Sequence, residues 1–369
     1  MNAHYERIEL LEGTMGPIGR SDHAAVMHND KFYVHGGERT NCNKLSDFWE
    51  FDFDRQIWIK IETDMKGPSK RSAHEITTHK NNIYVFGGFD SRNEECGDLW
   101  KFSLDTLDWE RMKSNGRMPC ARHYHTLNTY GDYLVLFGGY TLADEENSEV
   151  RSHCNDLVLY DIANNVWIEK KGHEYARFAH TSAIYKKKLY VFGGDILKDV
   201  KTVTTNDLIE YDFETNEWSD TFYTGNAPSK RKTHGCAVVK NSMFVWGSVK
   251  DGYIHEYSFS QKRWYQLNKT STLLYGHAMA PRRNSFIVMG GFNDKKNMAT
   301  KGIHEYSTGA GRDTVISNFD SMYARSFSIS DVMIITTTTA FRHTQESLKR
   351  KNTPLDDDTT STYKKIKLY

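Results

Sequence analysis

Six histidines recur at matching places along the chain, and the imidazole is the side chain best suited to proton transfer and metal binding near neutral pH. Two interpretations compete: a ring of ligands or bases, or a repeated structural histidine that hydrogen-bonds to the backbone. Equivalent residues spread around a repeated structure do not converge on one small site, so the structural interpretation is favoured. The six are His23, His74, His125, His180, His234 and His277.

Arginine and aspartate recur with the histidines and are suited to bidentate ion pairs. Pairing within one repeat would leave Arg231 without a partner, whereas pairing with the next repeat would leave Arg20 without one, and both pairings stay open. We favour a structural role over a basic rim for an acidic peptide. The set comprises Arg20, Arg71, Arg122, Arg177 and Arg231 with Asp47, Asp98, Asp156 and Asp207.

One short segment looks more like a metal site than the others. In "HYH", His123 and His125 would lie on one face of a strand, as two metal ligands would. No third ligand is evident nearby, and the sequence contains no GxSxG, P-loop, HExxH or dinucleotide-binding fingerprint. We therefore expect no metal, no cofactor and no catalytic residue, hence no enzyme.

The elements that must position these residues form an internal repeat. "RSAHEITTHKNNIYVFGG" (71–88) resembles segments 20–37, 122–139 and 177–194, with weaker copies at 231–248 and 274–291. A second pattern follows each copy, as in "DLWKFSLDTLDWERM" (98–112). Alternating apolar and polar residues, rich in Val, Ile, Tyr, Phe and Trp, predict four short strands in each repeat.

Glycine pairs and tryptophans mark fixed places in the repeat. A glycine pair behind a strand permits positive φ and close backbone approach, and large aromatic rings can fill the space between neighbouring sheets. The glycines are Gly36, Gly37, Gly87, Gly88, Gly138, Gly139, Gly193, Gly194, Gly290 and Gly291, and the tryptophans are Trp58, Trp109, Trp167, Trp218 and Trp264.

Four-stranded units repeated about every 50 residues are typical of β-propeller blades. The ordered motifs RxxH, YVFGG, Asp-xxx-[Tyr/Phe] and Trp resemble those of kelch-repeat propellers over residues 5–307. The chain looks like a kelch-only protein, similar to the kelch half of leucine-zipper-like regulators. The resemblance implies an all-β fold of six blades, near 20–61, 71–112, 122–170, 177–220, 231–267 and 274–318.

The N-terminal segment is expected to close the ring. "HYERIEL" (4–10) aligns with "DWERMKS" (108–114), which places Tyr5 in the tryptophan position. We expect Tyr5–Leu10 to pair with the strand around Ile303–Tyr306, leaving fewer exposed edges. Residues 323–339 resemble a partial seventh blade, so seven blades stay open. The propeller is predicted over 1–341, followed by a disordered charged tail over 342–369.

Composition excludes several classes of protein. The chain has 48 basic and 48 acidic residues, which gives no general attraction to nucleic acid or anionic membranes. No apolar run approaches a membrane span, and the N-terminus has no signal-peptide pattern. Five cysteines without a CxxC pair favour a reducing location. We expect a cytoplasmic protein; the basic tail segments 348–351 and 364–367 are either a nuclear import signal or a solvated end.

Function is expected in the variable loops, because rigid scaffolds present binding residues there. The kelch resemblance implies partner binding on the face with the loops behind the glycine pairs. We expect a monomeric, non-catalytic scaffold for a protein or peptide. The alternatives are substrate recognition for a ubiquitin ligase through a separate adaptor, and a metal-dependent enzyme at the central channel. The expected contacts are Arg39, Arg92, Tyr140, Glu145, Arg151 and Lys198.

Overall fold

The computed structural model describes residues 3–7, 15–63, 67–142, 152–198, 201–247, 250–308 and 334–335. Within these ranges, every element of regular secondary structure is a β-strand. Six sheets share one plan of four antiparallel strands. The first to fourth strands are Ala24–His28, Lys31–His35, Phe48–Asp52 and Ile57–Ile61 in sheet 1; Glu75–His79, Asn82–Phe86, Leu99–Ser103 and Asp108–Arg111 in sheet 2; Thr126–Tyr130, Tyr133–Phe137, Leu157–Asp161 and Val166–Lys170 in sheet 3; Thr181–Tyr185, Lys188–Phe192, Leu208–Asp212 and Glu217–Asp220 in sheet 4; Gly235–Val239, Ser242–Trp246, Tyr253–Ser258 and Arg263–Lys269 in sheet 5; and Ala278–Arg282, Ser285–Met289, Ile303–Thr308 and Ala3–Arg7 in sheet 6.

Shorter strands lie beside these sheets or in the connections between their strands. Two of them, Thr224–Gly225 and Ile334–Ile335, run parallel to the fourth strands of sheets 5 and 1. The others form small antiparallel pairs in the connections: Arg71–Ser72 with Phe89–Asp90, Tyr140–Thr141 with Ser152–His153, Arg177–Phe178 with Asp195–Lys198, Asp195–Lys198 with Lys201–Thr204, and Phe292–Asn293 with Met298–Ala299.

The hydrophobic core lies between neighbouring sheets. Trp167 of sheet 3 packs on Tyr160 of its own third strand, with ring centroids 5.0 Å apart. It also packs on Phe86, the residue before the glycine pair of sheet 2, at 5.4 Å. Trp218 and Trp264 repeat this arrangement against Phe137 and Phe192. The predicted tryptophan contacts between sheets therefore form.

A cyclic set of backbone hydrogen bonds joins the six sheets at their inner edge. The residue before each of the six histidines has positive φ, between 50° and 61°. Its N–H donates to the carbonyl of the equivalent residue in the preceding sheet, at 2.7–3.0 Å. The sixth bond runs from Asp22 of sheet 1 to Gly276 of sheet 6, so the cycle returns to its start. Its members are Asp22, Ala73, Tyr124, Ala179, Thr233 and Gly276.

The N-terminal strand forms the outer edge of sheet 6. Ala3–Arg7 pairs antiparallel with His304–Thr308, and Tyr5 lies opposite Tyr306. Trp109 lies opposite Phe102 in the same register in sheet 2. The strand thus occupies 3–7 rather than the predicted 5–10, of which residues 8–10 lie outside the described residues. The predicted seventh blade and the tail also lie outside them, except Ile334–Ile335.

Glycine is needed at the first position of each pair because the neighbouring sheet approaches it closely. Gly290 has φ 67°, and a Cβ placed there would lie 2.6 Å from Cε1 of His23 and 2.7 Å from the carbonyl oxygen of Arg20. Gly131 has a similar φ of 57°, but a Cβ there would meet no heavy atom within 4 Å. The two glycines therefore share a backbone conformation and differ in the space around them.

Alanine substitutions at Gly131 and Gly290 should separate two contributions to the loss of stability: backbone strain at positive φ, and steric overlap of the added Cβ with the neighbouring sheet. We expect Gly131→Ala to lower the free energy of unfolding by about 1 kcal/mol through left-handed strain. Gly290→Ala should lower it by about 3 kcal/mol, since overpacking adds to the strain. Chemical denaturation of both variants measures the difference. Equal losses would show that sheets 6 and 1 do not meet at Gly290 as described.

Candidate partner-binding face

The direction of the strands places two kinds of segment on one side of the molecule. Each second strand ends at a glycine pair, except in sheet 5, where Gly247 stands alone, and each first strand begins just after its histidine. The connections behind the glycine pairs and those before the histidines therefore share a face, which we call the loop face. The hairpin turns between first and second strands, such as Asn29–Asp30, lie on the opposite face.

A buried arginine anchors the loop-face connections of five sheets, and Leu274 occupies the equivalent position in sheet 6. Arg71 donates from Nη1 and Nη2 to the carboxylate of Asp98 at 2.8 and 3.1 Å, and from Nη1 to the carbonyl of Gly87 at 2.9 Å. Burial opposes ionisation of Asp98, but the hydrogen bonds and charge of Arg71 outweigh it and hold the pKa of Asp98 below its ordinary value. The pairing is therefore within one repeat. It recurs as Arg20–Asp47, Arg122–Asp156 and Arg177–Asp207.

Arg231 corrects the expectation that pairing within a repeat would leave it without a partner. Its Nη2 lies 3.0 Å from Oδ2 of Asp251, two residues before the position at which the other repeats have aspartate. The short loop of sheet 5 brings Asp251 within reach. The aspartate in this loop was visible in the sequence, but its displacement by two residues hid its role.

The six histidines, here called the ring histidines, are buried between sheets and do not converge on a ligand. Nε2 of His74 lies 2.9 Å from Nδ1 of His35 in the preceding sheet. His180 and His234 likewise contact hydroxyls of the preceding sheets, at 3.2 and 2.9 Å. Burial lowers the pKa of every ring histidine; for His23 the value is about 3. Within the described residues, no group of three or more His, Cys, Asp or Glu side chains is placed to hold a metal ion.

The "HYH" segment does not have the predicted geometry. Tyr124 between the two histidines has φ 53°, so this segment is not an extended strand. His125 is a ring histidine packed on Phe86. His123 instead points to the loop face, where its Nδ1 lies 3.0 Å from Oε1 of Glu95. The two imidazoles thus belong to different environments.

Aromatic side chains from sheets 2, 3 and 4 meet on the loop face. His123 and Tyr140 lie at the centre, with ring centroids 5.4 Å apart. The rings of Phe89, His153 and Phe178 complete the set at centroid distances of 5.0–5.4 Å. All five side chains are half-buried, which leaves part of each ring exposed. We call Phe89, His123, Tyr140, His153 and Phe178 the aromatic cluster.

Of the six predicted contacts, one belongs to this cluster and three lie elsewhere in the loop-face connections. Tyr140 is a member. Arg39 and Lys198 are exposed, and the ammonium of Lys198 lies 5.9 Å from the ring centroid of Tyr175. Arg92 is 72% exposed and is ion-paired with Asp90 and Glu94. The remaining two, Glu145 and Arg151, lie outside the described residues.

Sequence reasoning missed four members of the aromatic cluster, although a signal was present. The residue directly after the glycine pair is aromatic in three repeats: Phe89, Tyr140 and Phe292. On the loop face, Phe292 packs on Tyr275 at 5.5 Å, as Phe89 packs on His123 at 5.3 Å. This repeated position therefore carries rings that face outward rather than into the core.

The first strands of all six sheets line one central cavity of about 450 Å³. Two carboxyl groups face it. Burial, aided by the nearby charge of Glu38, raises the pKa of Asp22 to about 7. Burial raises the pKa of Glu75 to about 8. Both groups therefore hold a proton in the folded protein at pH values where an ordinary carboxyl is ionised.

Comparison with known proteins adds evolutionary context to this geometry. Among the described residues, no helix is long and apolar enough to span a membrane. The chain is 26% identical over 276 residues to a leucine-zipper-like transcriptional regulator 1 homolog of Drosophila melanogaster, covering 69% of this chain and 27% of that protein. It is 26% identical over 263 residues to Kelch domain-containing protein 10 of Xenopus tropicalis, covering 64% and 61%.

A third relative is matched over more of its length. Kelch domain-containing protein 1 of Homo sapiens is 27% identical over 315 residues, covering 74% of this chain and 76% of that protein. The first two relatives are matched over less than two thirds of their own length. The model of the KLHDC2/KLHL20/DRC7 Kelch-repeats domain matches residues 10–194 and 179–317. The chain with these repeated Arg–Asp pairs, glycine pairs and interleaved tryptophans therefore belongs to the kelch-repeat family.

Proposed function

We propose that the chain is a non-catalytic interaction scaffold that binds a protein or peptide on its loop face. The observation that carries this proposal is the aromatic cluster, since aromatic side chains, and tyrosine in particular, are typical anchors of binding surfaces. The buried arginines and ring histidines contact their own scaffold, which leaves the irregular connections for recognition. Arg39 and Lys198 would supply exposed positive charge on this face, and Arg92 would offer a guanidinium already paired with Asp90 and Glu94. Glu145 and Arg151 remain proposed contacts.

The proposed scaffold is a six-bladed propeller over residues 1–341, closed by the N-terminal strand and followed by a tail over 342–369. The cyclic hydrogen bonds and the pairing of Ala3–Arg7 with sheet 6 support this arrangement. A cytoplasmic or nuclear monomer is proposed. A role in a ubiquitin ligase would use the same face with a separate adaptor, and no feature of the described residues favours it over a plain scaffold.

Substitution of Tyr140, at the centre of the aromatic cluster, should test whether partners bind there. Tyr140→Ser is expected to reduce recovery of bound proteins in an affinity purification at least tenfold, because loss of a central aromatic anchor costs about 2 kcal/mol or more. Tyr265→Ser is the matched control, since Tyr265 is 37% exposed on the fourth strand of sheet 5. Proteins recovered equally with both variants, given equal thermal stability, would contradict binding at the aromatic cluster.

A further inference from the structure

Two cysteines lie side by side in the loop-face connections of sheet 3. Sγ of Cys120 is 3.9 Å from Sγ of Cys154, and both are free thiols. Cys120 is exposed, whereas Cys154 is buried. A disulfide requires the two sulfur atoms to approach to about 2.05 Å. The two sulfur atoms, now 3.9 Å apart, would therefore have to approach by about 2 Å.

Sheet 2 provides an internal comparison for this pair. Ser69 occupies the position equivalent to Cys120, and Cys96 occupies the position equivalent to Cys154, with Oγ and Sγ 4.0 Å apart. Arg71 donates from Nη2 to Oγ of Ser69 at 3.1 Å. Sheets 2 and 5 therefore use a serine hydroxyl, Ser69 or Ser229, as an acceptor for their arginine, and in sheet 3 a thiol stands at this position.

The replacement places the Cys120 sulfur beside a buried positive charge. Nη2 of Arg122 lies 2.9 Å from Sγ of Cys120. The hydrogen bond from Cys154 and the charge of Arg122 lower the pKa of Cys120 to about 6, against the opposing effect of burial. The same hydrogen bond and its own burial raise the pKa of Cys154. The neighbouring guanidinium and the exposure of Cys120 therefore favour a thiolate at Cys120 rather than at the buried Cys154.

We propose that Cys120 is a peroxide-sensitive modification site and that Cys154 resolves it to a reversible disulfide. The Cys120 thiolate attacks a hydroperoxide, an S–O bond forms, the O–O bond breaks, and the departing oxygen takes a proton to leave as water or an alcohol. The Cys154 thiol then loses its proton and attacks the Cys120 sulfur. An S–S bond forms and hydroxide leaves as water with that proton, so two thiols are oxidised and one peroxide is reduced.

The position of the bridge would link two connections of the loop face. Cys120 belongs to the segment that enters sheet 3, and Cys154 ends the loop that begins at Tyr140. A bridge would remove the sulfur acceptor of Arg122 and tie the end of this loop to the segment before the first strand. The disulfide itself does not depend on the proposed partner binding.

Oxidation of the reduced full-length chain with hydrogen peroxide tests the proposal. We expect a mass loss of two hydrogens and a peptide that links Cys120 to Cys154, both reversed by dithiothreitol. Cys154→Ser should instead trap a sulfenic acid at Cys120, detected as a dimedone adduct. Iodoacetamide at pH 6 should alkylate Cys120 about tenfold faster than a small-molecule thiol, after allowing for the lower nucleophilicity of an acidic thiolate.

Cys120→Ser is the matched variant, because it recreates the Ser69–Arg71 arrangement of sheet 2 and should fold. It should lose the linked peptide and keep all four other thiols reduced at the same peroxide dose. First oxidation at Cys42, Cys96 or Cys236 would overturn the proposal. So would overoxidation of Cys120 without a linked peptide, since Cys154 would then not resolve it.

Discussion

Acidification from pH 7.5 to pH 5.5 is expected to lower the free energy of unfolding by about 4 kcal/mol through the ring histidines and the cavity carboxyls. His35 and His255 add to this loss, because burial lowers their pKa to about 3 and about 4. Burial holds the pKa of His23 and His277 at about 3 and lowers the pKa of the other four ring histidines well below 6.5. An unfolded chain protonates these imidazoles as the pH falls through about 6.5, whereas the folded chain does not. Each ring histidine therefore removes about 1.4 kcal/mol over this interval.

Two cavity carboxyls act in the opposite direction. The pKa of Asp22 is raised to about 7 and that of Glu75 to about 8, both chiefly by burial. The folded chain therefore binds these protons at a pH where the unfolded chain does not, so their contribution to stability grows as the pH falls. They offset about half of the histidine effect. The histidines outnumber them, and acid destabilises the fold.

Urea denaturation followed by tryptophan fluorescence at a series of pH values measures this loss. Glu75→Gln should make the unfolding free energy fall more steeply with decreasing pH, because it removes an opposing group. The change in slope should correspond to about one more proton taken up on unfolding. His234→Gln should make the pH dependence shallower by about one proton for the converse reason. An unfolding free energy that stays constant between pH 7.5 and 5.5 would mean that the ring histidines are not buried as neutral imidazoles.

Asp98→Ala is expected to lower the free energy of unfolding by about 4 kcal/mol. The variant leaves the guanidinium of Arg71, only 1% exposed, without its carboxylate, and an unpaired buried charge typically costs about 3–5 kcal/mol. The indole N–H of Trp100 also loses its acceptor, Oδ2 of Asp98 at 2.6 Å. Guanidinium denaturation at pH 7.5 measures the loss.

Asp54→Ala is the matched control for this substitution. Asp54 lies in the exposed hairpin turn of sheet 1, and its removal should change the unfolding free energy by less than about 0.5 kcal/mol. A loss of similar size in both variants would indicate a general effect of removing acidic residues. A small loss in Asp98→Ala would mean that water reaches Arg71 and screens its charge.

Features copied in every repeat could be predicted from the chain alone. Each glycine of the predicted pairs has positive φ, because the repeated RxxH segment of the next sheet packs against the first of them. The all-β fold and the kelch family followed from the same repetition and are confirmed. A motif that recurs in every repeat indicates a contact that recurs between neighbouring sheets, so its structural role can be predicted from the sequence.

Features found in one repeat could not be predicted in this way. The pairing of Arg231 with Asp251 depends on the length of one loop, and the separation of His123 from His125 depends on the positive φ of Tyr124. The proximity of Cys120 and Cys154 depends on how a connection and a loop meet. Contacts between side chains of irregular loops have no repeated sequence pattern. For the same reason, only Tyr140 of the aromatic cluster was among the predicted contacts.

The bond from Asp22 to Gly276 has a consequence for the order of assembly. It joins sheet 1 to sheet 6, and the outer edge of sheet 6 consists of residues that are synthesised before all of sheets 1 to 5. Such distant contacts carry a large entropic cost before they form and slow folding. Ala3–Arg7 therefore stays unpaired until its partner strand Ile303–Thr308 has been synthesised, so a nascent chain that stops before this strand would expose Ala3–Arg7 to other chains.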